Sequence, residues 1–463
     1  MATVLQTAND SLAKLTEHSW KPQPAPARVV HQLLNECLQQ SPFGAALSQR
    51  MLAETGTRLL DWIDHFGIPH VDPMLGELPG VGYVETKSDG GEAVWHHPEG
   101  LFPRIRVIDG KRRELAIKVE SVADFLFAHE MTDVAIEGEP WSALRRARVA
   151  SDAGVDVIVV ERHGTLAFEP SAADSLITAL VALHYERFLL RRRDFEQDAE
   201  GFAAAGELAD AAMKDLGRDR ACELFFKAER QYWQQRNRAG RIQLARQAVL
   251  GLGWANHDHH TYRSSRETFV LLIAFLEKLG FVCRERFYAG REAGWGAQVI
   301  EHPVTGVTIF ADVDLSPEEL AQDFSHEPLP ARAQLGTVGL WCALHGEAFL
   351  QAGMHHLECQ FDFSATRDQL KEAGIDTMPP FTDFPYLRQA FTRGEQWKVR
   401  PERVERLRAA GRITDAQANQ FLSQGALGSH LEILQRDDGY KGFNQTGINE
   451  IISATDPRRS LHQ

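Results

Sequence analysis

Apolar and polar positions alternate between two textures along the chain. Over residues 29–66, Leu33, Leu34, Leu38, Leu59, Leu60 and Trp62 recur at helical spacing, after a proline-spaced KPQPAPAR that reads as an extended lead-in. Beyond Gly67 the pattern breaks into short runs separated by Gly and Pro, which predict strands and turns. The β-branched run in GVDVIVVERHG predicts a strand covered on both faces. Residues 172–193 return to helical spacing and end in RFLLRRR, which predicts a solvated helix end rather than an anion site. The Ala-, Glu-, Arg- and Gln-rich stretch 195–250 predicts one or two connecting helices.

The stretch WANHDHHTYRSSRETFVLLIAFLEKLG, residues 254–280, organises the second half of the chain. It predicts a short strand bearing His257, His259, His260 and Arg263, then a helix buried through Phe269, Leu272, Ile273, Phe275, Leu276 and Leu279. Ser264 and Glu267 have capping-box spacing at the helix start, and Gly280 supplies a stop. On a strand, His257, His259, Thr261 and Arg263 share one face, with Asp258, His260 and Tyr262 on the other. Three strand-like runs, FVCRERFYA, AQVIEHP and VTIFADVDL, complete a βαβββ module. MHHLECQFDFSATRDQLKEAG then restarts the layout with a His-His pair, a serine start at Ser364, a short helix and a closing glycine. The predicted fold is α+β. A mixed α+β domain with a helical connector spans 1–245, and a paired βαβββ domain spans 246–463.

Composition narrows the partners. The chain has 463 residues, 43% hydrophobic and 25% charged, which is ordinary globular usage and long enough for two domains. A formal charge of −14 argues against a broad grip on nucleic acid or anionic lipid, so the expected partner is a small molecule. Five scattered cysteines with no CxxC pair suit a reducing compartment. No signal-peptide layout and no run of roughly 18 apolar residues is present, so a cytoplasmic location is expected.

Two histidines and a carboxylate on one face suit a non-haem Fe(II) site with positions left open. The matched modules put forward His259 and His356. In SHLEILQRDDGYKGFNQ, Glu432 stands between apolar Leu431 and Ile433, so strand alternation turns it to their opposite face. Arg263 lies four residues beyond His259, within reach of a substrate carboxylate that a bidentate fork could hold. Tyr440, Lys441 and Asn444 come after Glu432 and are polar enough to line the same pocket.

HHTYR followed by a helix and LGF resembles the vicinal-oxygen-chelate superfamily. More narrowly, residues 254–436 resemble the 2-oxoadipate dioxygenase/decarboxylase family, also called hydroxyglutarate synthases. His259 with Arg263 matches the family's His-x-x-x-Arg motif, HHLECQ matches its second histidine motif at His356, and LEILQR matches its glutamate motif at Glu432. His163, in VERHG, mimics the first motif without an LGF-like ending after its helix. About 250 residues precede the first motif, where the family has far fewer, and only 31 come after Glu432, where the family has a long tail. The resemblance implies Fe(II), O2 and a small 2-oxo acid that is decarboxylated and hydroxylated, with Arg263 holding its carboxylate. Two alternatives stand beside it: a redox-silent isomerase, lyase or hydrolase using another divalent metal such as Zn²⁺, Mn²⁺ or Ni²⁺, and a non-catalytic ligand-binding protein. The N-terminal half is read as a degenerate module, a lid or a dimerisation element, which leaves a homodimer open.

Overall fold

The computed structural model describes residues 20–88, 90–170, 175–444 and 456–458. Two sheets carry the fold. The first contains β1 (Ile63–Pro69), β2 (Val84–Lys87), β3 (Ala93–His96), β4 (Arg104–Ile108), β5 (Arg113–Lys118), β6 (Leu144–Ser151) and β7 (Val155–Arg162), in spatial order β2-β3-β4-β1-β5-β7-β6. The second is built from β8 (His257–Arg263), β9 (Val282–Tyr288), β10 (Trp295–Glu301), β11 (Thr308–Asp314), β12 (His356–Gln360), β13 (Thr382–Phe384) and β14 (Leu387–Phe391). After β14 come the two-residue strands β15 (Gln396–Trp397) and β16 (Ala426–Leu427), which pair with each other, and β17 (His430–Arg436), which rejoins the second sheet.

The second sheet has the order β13-β14-β17-β12-β8-β11-β10-β9. It is the paired βαβββ domain that the sequence predicts. β8, the helix Phe269–Lys278 and β9 to β11 form one module; β12, the helix Phe363–Glu372 and β13, β14 and β17 form the other. Each module's first strand runs parallel to its last, and the two first strands meet antiparallel at the centre. The segment carrying β15, the helices Pro401–Ala409 and Asp415–Gln424, and β16 is inserted before the last strand.

The first sheet repeats this plan. β1 is parallel to β4, β5 is parallel to β7, and β1 meets β5 antiparallel at the centre. Two short 3₁₀ turns, Pro73–Gly76 and Pro79–Val81, stand where the first module would have its helix, and the second half has one strand fewer.

Four local expectations are corrected. The helix Pro24–Gln40 begins inside the proline-spaced stretch, because proline at the first helical positions surrenders an N–H that has no partner there anyway. The helical reading of residues 29–66 ends early: Leu59–Trp62 is a 3₁₀ turn and Ile63 already opens β1. Residues 198–249 form three helices rather than one or two. The basic run is solvated only in part: Arg187 and Arg192 are exposed, whereas Arg191 and Arg193 are buried on Glu229, at 3.1 and 2.5 Å.

Strand alternation separates the two faces of β8. His260 and Tyr262 turn toward the helices, with Phe226 edge-on to both rings, while His259, Thr261 and Arg263 line a cavity on the opposite face. His257 leaves its expected face, because the register with β12 shifts at this end of the strand, and it lines a different cavity. The Ser264–Glu267 capping box does not form. The helix starts at Phe269 with no side-chain cap, and the Ser265 N–H donates to the Glu347 carboxylate instead. The Ser364 start is likewise displaced, since Asp362 caps the Phe363–Glu372 helix by accepting from the Ala365 N–H. Among the described residues no helix is long and apolar enough to cross a membrane.

Candidate metal centre

β12 and β17 carry the same tripeptide side by side. His356-Leu357-Glu358 and His430-Leu431-Glu432 pair in parallel register, so His356 faces His430 across the ladder and Glu358 faces Glu432. Because residues two apart share a face, both leucines enter the core and all four polar side chains enter the cavity. β8 adds His259 and Arg263 from the other side.

The donor atoms converge. His259 Nε2 lies 2.7 Å and His356 Nε2 2.6 Å from the same Glu358 oxygen, and His356 Nε2 is 3.7 Å from Glu432. The structure therefore brings together His259, His356 and Glu432, all named from sequence, and adds Glu358, which sequence reasoning missed. Its signal was available: Glu358 is two residues from His356 on one strand, hence on its face.

Supporting contacts orient these groups. Asp258 accepts from His259 Nδ1 at 2.7 Å and is itself held by Arg436 at 3.0 Å, so Nε2 is the nitrogen presented to the cavity. Gln389 donates to Glu432 at 2.9 Å, and Thr261 donates to Glu358 at 3.2 Å. Glu358 Oε2 has no hydrogen-bond partner among the described residues. Burial holds the His259 imidazole at a pKa of about 4, against the pull of Asp258, and drives His356 well below the usual histidine range. Both rings are thus neutral, as a metal ligand must be. Burial raises Glu432 to about 7, and burial together with the Glu432 charge raises Glu358 well above the carboxylate range. Two neutral imidazoles and two crowded carboxyls, one with an orphaned oxygen, fit a divalent cation.

His355 and His430 engage each other, while His430 Nδ1 has no hydrogen-bond partner among the described residues. His355 Nδ1 reaches the Gly428 carbonyl at 3.0 Å, and its Nε2 lies 3.2 Å from His430 Nε2. With His355 Nδ1 as donor, its Nε2 accepts from His430. This engagement separates His356 from His355 within the pair.

Arg263 is buried to 2% exposure, and its Nε and Nη1 have no hydrogen-bond partner among the described residues. Asp312 stands beside it in the β8–β11 register, and burial lifts the Asp312 carboxyl to about 8 despite that cation. A buried guanidinium with unused donors is a costly feature that an incoming carboxylate would relieve. The cavity holds about 70 Å³, with Phe287, Phe310, Phe391, Phe443 and Trp295 in its wall.

Two residues expected in this pocket are not there. Tyr440 packs on Leu387, Leu434 and Tyr386, and Lys441 pairs with Glu301 at 3.0 Å beside Trp20. The left-handed turn at Asp438 and Gly439, with φ of 51° and 59°, takes the chain off the strand and breaks the alternation on which the expectation rested. Asn444 does line the cavity, but donates its amide to Thr382 at 2.7 Å and to the Phe381 carbonyl. His163, the mimic of the first motif, sits 2.7 Å from Glu161 and lines the other cavity.

The first sheet holds the same ground plan without the donors. Asp64-His65 on β1 stands where Asp258-His259 stands on β8, and Arg162 ends β7 and binds Asp64 as Arg436 ends β17 and binds Asp258. In register, Glu114 takes the place of His356, Ala116 that of Glu358 and Ile158 that of Glu432. His65 is gripped by Asp64 at 2.6 Å and Glu114 at 2.8 Å, and these bonds raise its pKa although burial opposes them.

No protein-family profile and no curated protein sequence matches the chain. Solved structures similar to it include a protein of Shewanella frigidimarina NCIMB 400, at 15% identity over 48% of this chain and 96% of that one, with a TM-score of 0.33. A triple mutant of 4-hydroxymandelate synthase from Streptomyces coelicolor is 12% identical over 86% of this chain and 99% of that one, TM-score 0.30. Methylmalonyl-CoA epimerase from Mycobacterium tuberculosis is 12% identical over 39% of this chain and 88% of that one, TM-score 0.23. At such values, activity has to be argued from this chain's own side chains.

Proposed function

We propose that this chain is a divalent-metal enzyme acting on a small carboxylate, with His259, His356, Glu358 and Glu432 holding the ion and Arg263 binding substrate. The observation that carries the proposal is the meeting of both Nε2 atoms on one Glu358 oxygen beside Glu432. A bound divalent ion would supply Lewis-acid polarisation of a substrate oxygen or, as Fe(II), the oxygen chemistry implied by the resemblance to the 2-oxoadipate dioxygenase/decarboxylase family. Arg263 would fix the substrate carboxylate through its free Nε and Nη1, which sets the register of the reacting carbon against the donor cluster. The aromatic wall excludes water from that carbon. Glu358 and Glu432 sit where a carboxylate could take a proton from substrate, and Gln389 fixes the orientation of Glu432.

Glu358 favours redox-silent proton-transfer chemistry within this class. Four protein donors would leave fewer open positions on a bound ion than three, which would suit a chelating substrate better than substrate and O2 together. The second reading, an Fe(II) dioxygenase of small 2-oxo acids, is favoured by the three motifs around His259, His356 and Glu432 and by the apolar cavity, which suits O2.

One screen separates the two. The protein is loaded anaerobically with Mn²⁺, Zn²⁺ or Fe(II) and incubated with 2-oxo acids and other small carboxylates in D2O, then repeated in air with an oxygen electrode. Deuterium incorporation without O2 supports proton transfer, and substrate-dependent O2 uptake with Fe(II) alone supports the oxygenase. Absence of both signals at full metal occupancy would defeat the enzymatic proposal.

A further inference from the structure

A larger cavity of about 450 Å³ lies between the two sheets, with residues of β5, β7 and β8 in its wall and none of the candidate metal donors among them. Its charges do not balance locally. Arg104, Lys118 and Arg230 open onto it with neither an ion pair nor a hydrogen bond among the described residues, and Arg230 is only 8% exposed with its Nε orphaned. Most acids in the wall are already engaged: Asp64 by Arg162, Asp61 and Asp437 by Arg58, Glu223 by Arg220. Glu120 accepts from the Trp254 N–H, and Asp438 is the other carboxylate of the wall outside an ion pair. Lys227 adds a further cation, resting on the Trp141 ring. Burial and the neighbouring Arg162 and Arg230 pull the Lys118 pKa down despite Asp64, so this ammonium is held without a full counter-charge.

Three cations without an ion pair among the described residues, one of them buried with an orphaned nitrogen, line one cavity that an anion would complete. We infer that this interdomain cavity is a second ligand site, which takes a metabolite-sized oxyanion, phosphate- or carboxylate-bearing, on Lys118, Arg104 and Arg230. The volume exceeds what a single inorganic ion needs, so the anionic group is one end of a larger molecule. The site is separate from the metal centre: the carboxylate expected on Arg263 lies in the smaller cavity, and no residue lines both.

Calorimetric titration of the metal-free full chain with pyrophosphate and with citrate, at constant ionic strength, tests this. One site per chain is expected for at least one probe, with a rise of about 2–4 °C in the unfolding midpoint at saturating ligand. Pyrophosphate alone would assign the site to phosphorylated molecules, and citrate alone to carboxylates. Lys118→Met and Arg230→Gln should each weaken binding by roughly tenfold or more, the loss of one charge-assisted contact, while Arg263→Met leaves it unchanged. Lys118→Met should melt no lower than the parent without ligand, since it removes an unpaired cation. No binding of either probe, or binding lost in Arg263→Met yet kept in Lys118→Met, overturns the inference. So does a strongly destabilised Lys118→Met, which would make that ammonium part of the fold.

Discussion

His65 and His259 occupy the same position on the first strands of two sheets built to one plan, and each is held through Nδ1 by the aspartate before it. Their environments set opposite states. His65 meets Glu114 and is raised, whereas burial keeps His259 neutral with its Nε2 among the candidate donors. Both rings also meet a second carboxyl through Nε2, Glu114 for His65 and Glu358 for His259, and Glu358 is itself crowded by Glu432.

Glu358 is the group on which the two functional readings part. Glu358→Gln keeps the shape of the side chain and removes a charge. If Glu358 is a donor, affinity for Mn²⁺ or Zn²⁺ should fall by about two orders of magnitude, comparable to the loss in Glu432→Gln and in line with what removing coordination support does. A change under threefold, measured by competition with a chelating dye, would leave a three-donor site and strengthen the oxygenase reading.

Arg263→Met removes the buried guanidinium without opening a large void. Substrate KM should rise at least a hundredfold, about 3 kcal/mol, with metal content unchanged. The unfolding midpoint should hold or increase, because a buried guanidinium with two nitrogens unpartnered among the described residues is lost. Unchanged KM, or a fall in stability with normal kinetics, would make Arg263 a structural residue.

Metal binding should expel protons. Glu432, raised to about 7, and Glu358, raised well above the carboxylate range by burial and the Glu432 charge, hold protons that a cation must displace. At least about one proton per ion should be released at pH 6, read from the dependence of the binding enthalpy on buffer ionisation heat, and affinity should rise with pH through 7. The sign for stability is opposite. Carboxyls whose folded pKa lies above the unfolded value contribute stability below the usual carboxylate range, and lose it as pH rises through about 7. The metal-free protein should therefore lose stability between pH 6 and 8 more than Glu432→Gln does. Enthalpies independent of buffer would contradict the paired-carboxyl description.

Asp258 acts through His259. Asp258→Asn should lower metal affinity about 10- to 100-fold, and Asp258→Glu should recover part of it. Equal affinity in all three proteins would remove Asp258 from the site's support.

The second domain was legible because its signals are local. Paired His-His strands, each leading into a helix, disclose the repeated module, and alternation around Leu431 and Ile433 turns Glu432 inward. Glu358 escaped because attention to one ligand per strand passed over the period-2 partner of His356. Tyr440 and Lys441 were misplaced because a left-handed turn, not sequence spacing, decides where they point. The duplication in the first half is carried by strand order and register, with Ala116 and Ile158 standing in for carboxylates, so little side-chain identity marks it. The interdomain cations lie far apart along the chain, at 104, 118 and 230, and only the fold unites them.

The most direct measurement is metal stoichiometry. Metal-free Cys283→Ser protein, which lacks the thiol of the separate exposed Glu277, Cys283 and His326 group, dialysed to equilibrium against Mn²⁺ should bind one ion per chain, because the first sheet lacks the donors. His259→Ala and His356→Ala should each abolish that binding while remaining folded. Two ions per chain, substoichiometric metal in the parent protein, or undiminished binding in either variant would contradict the account.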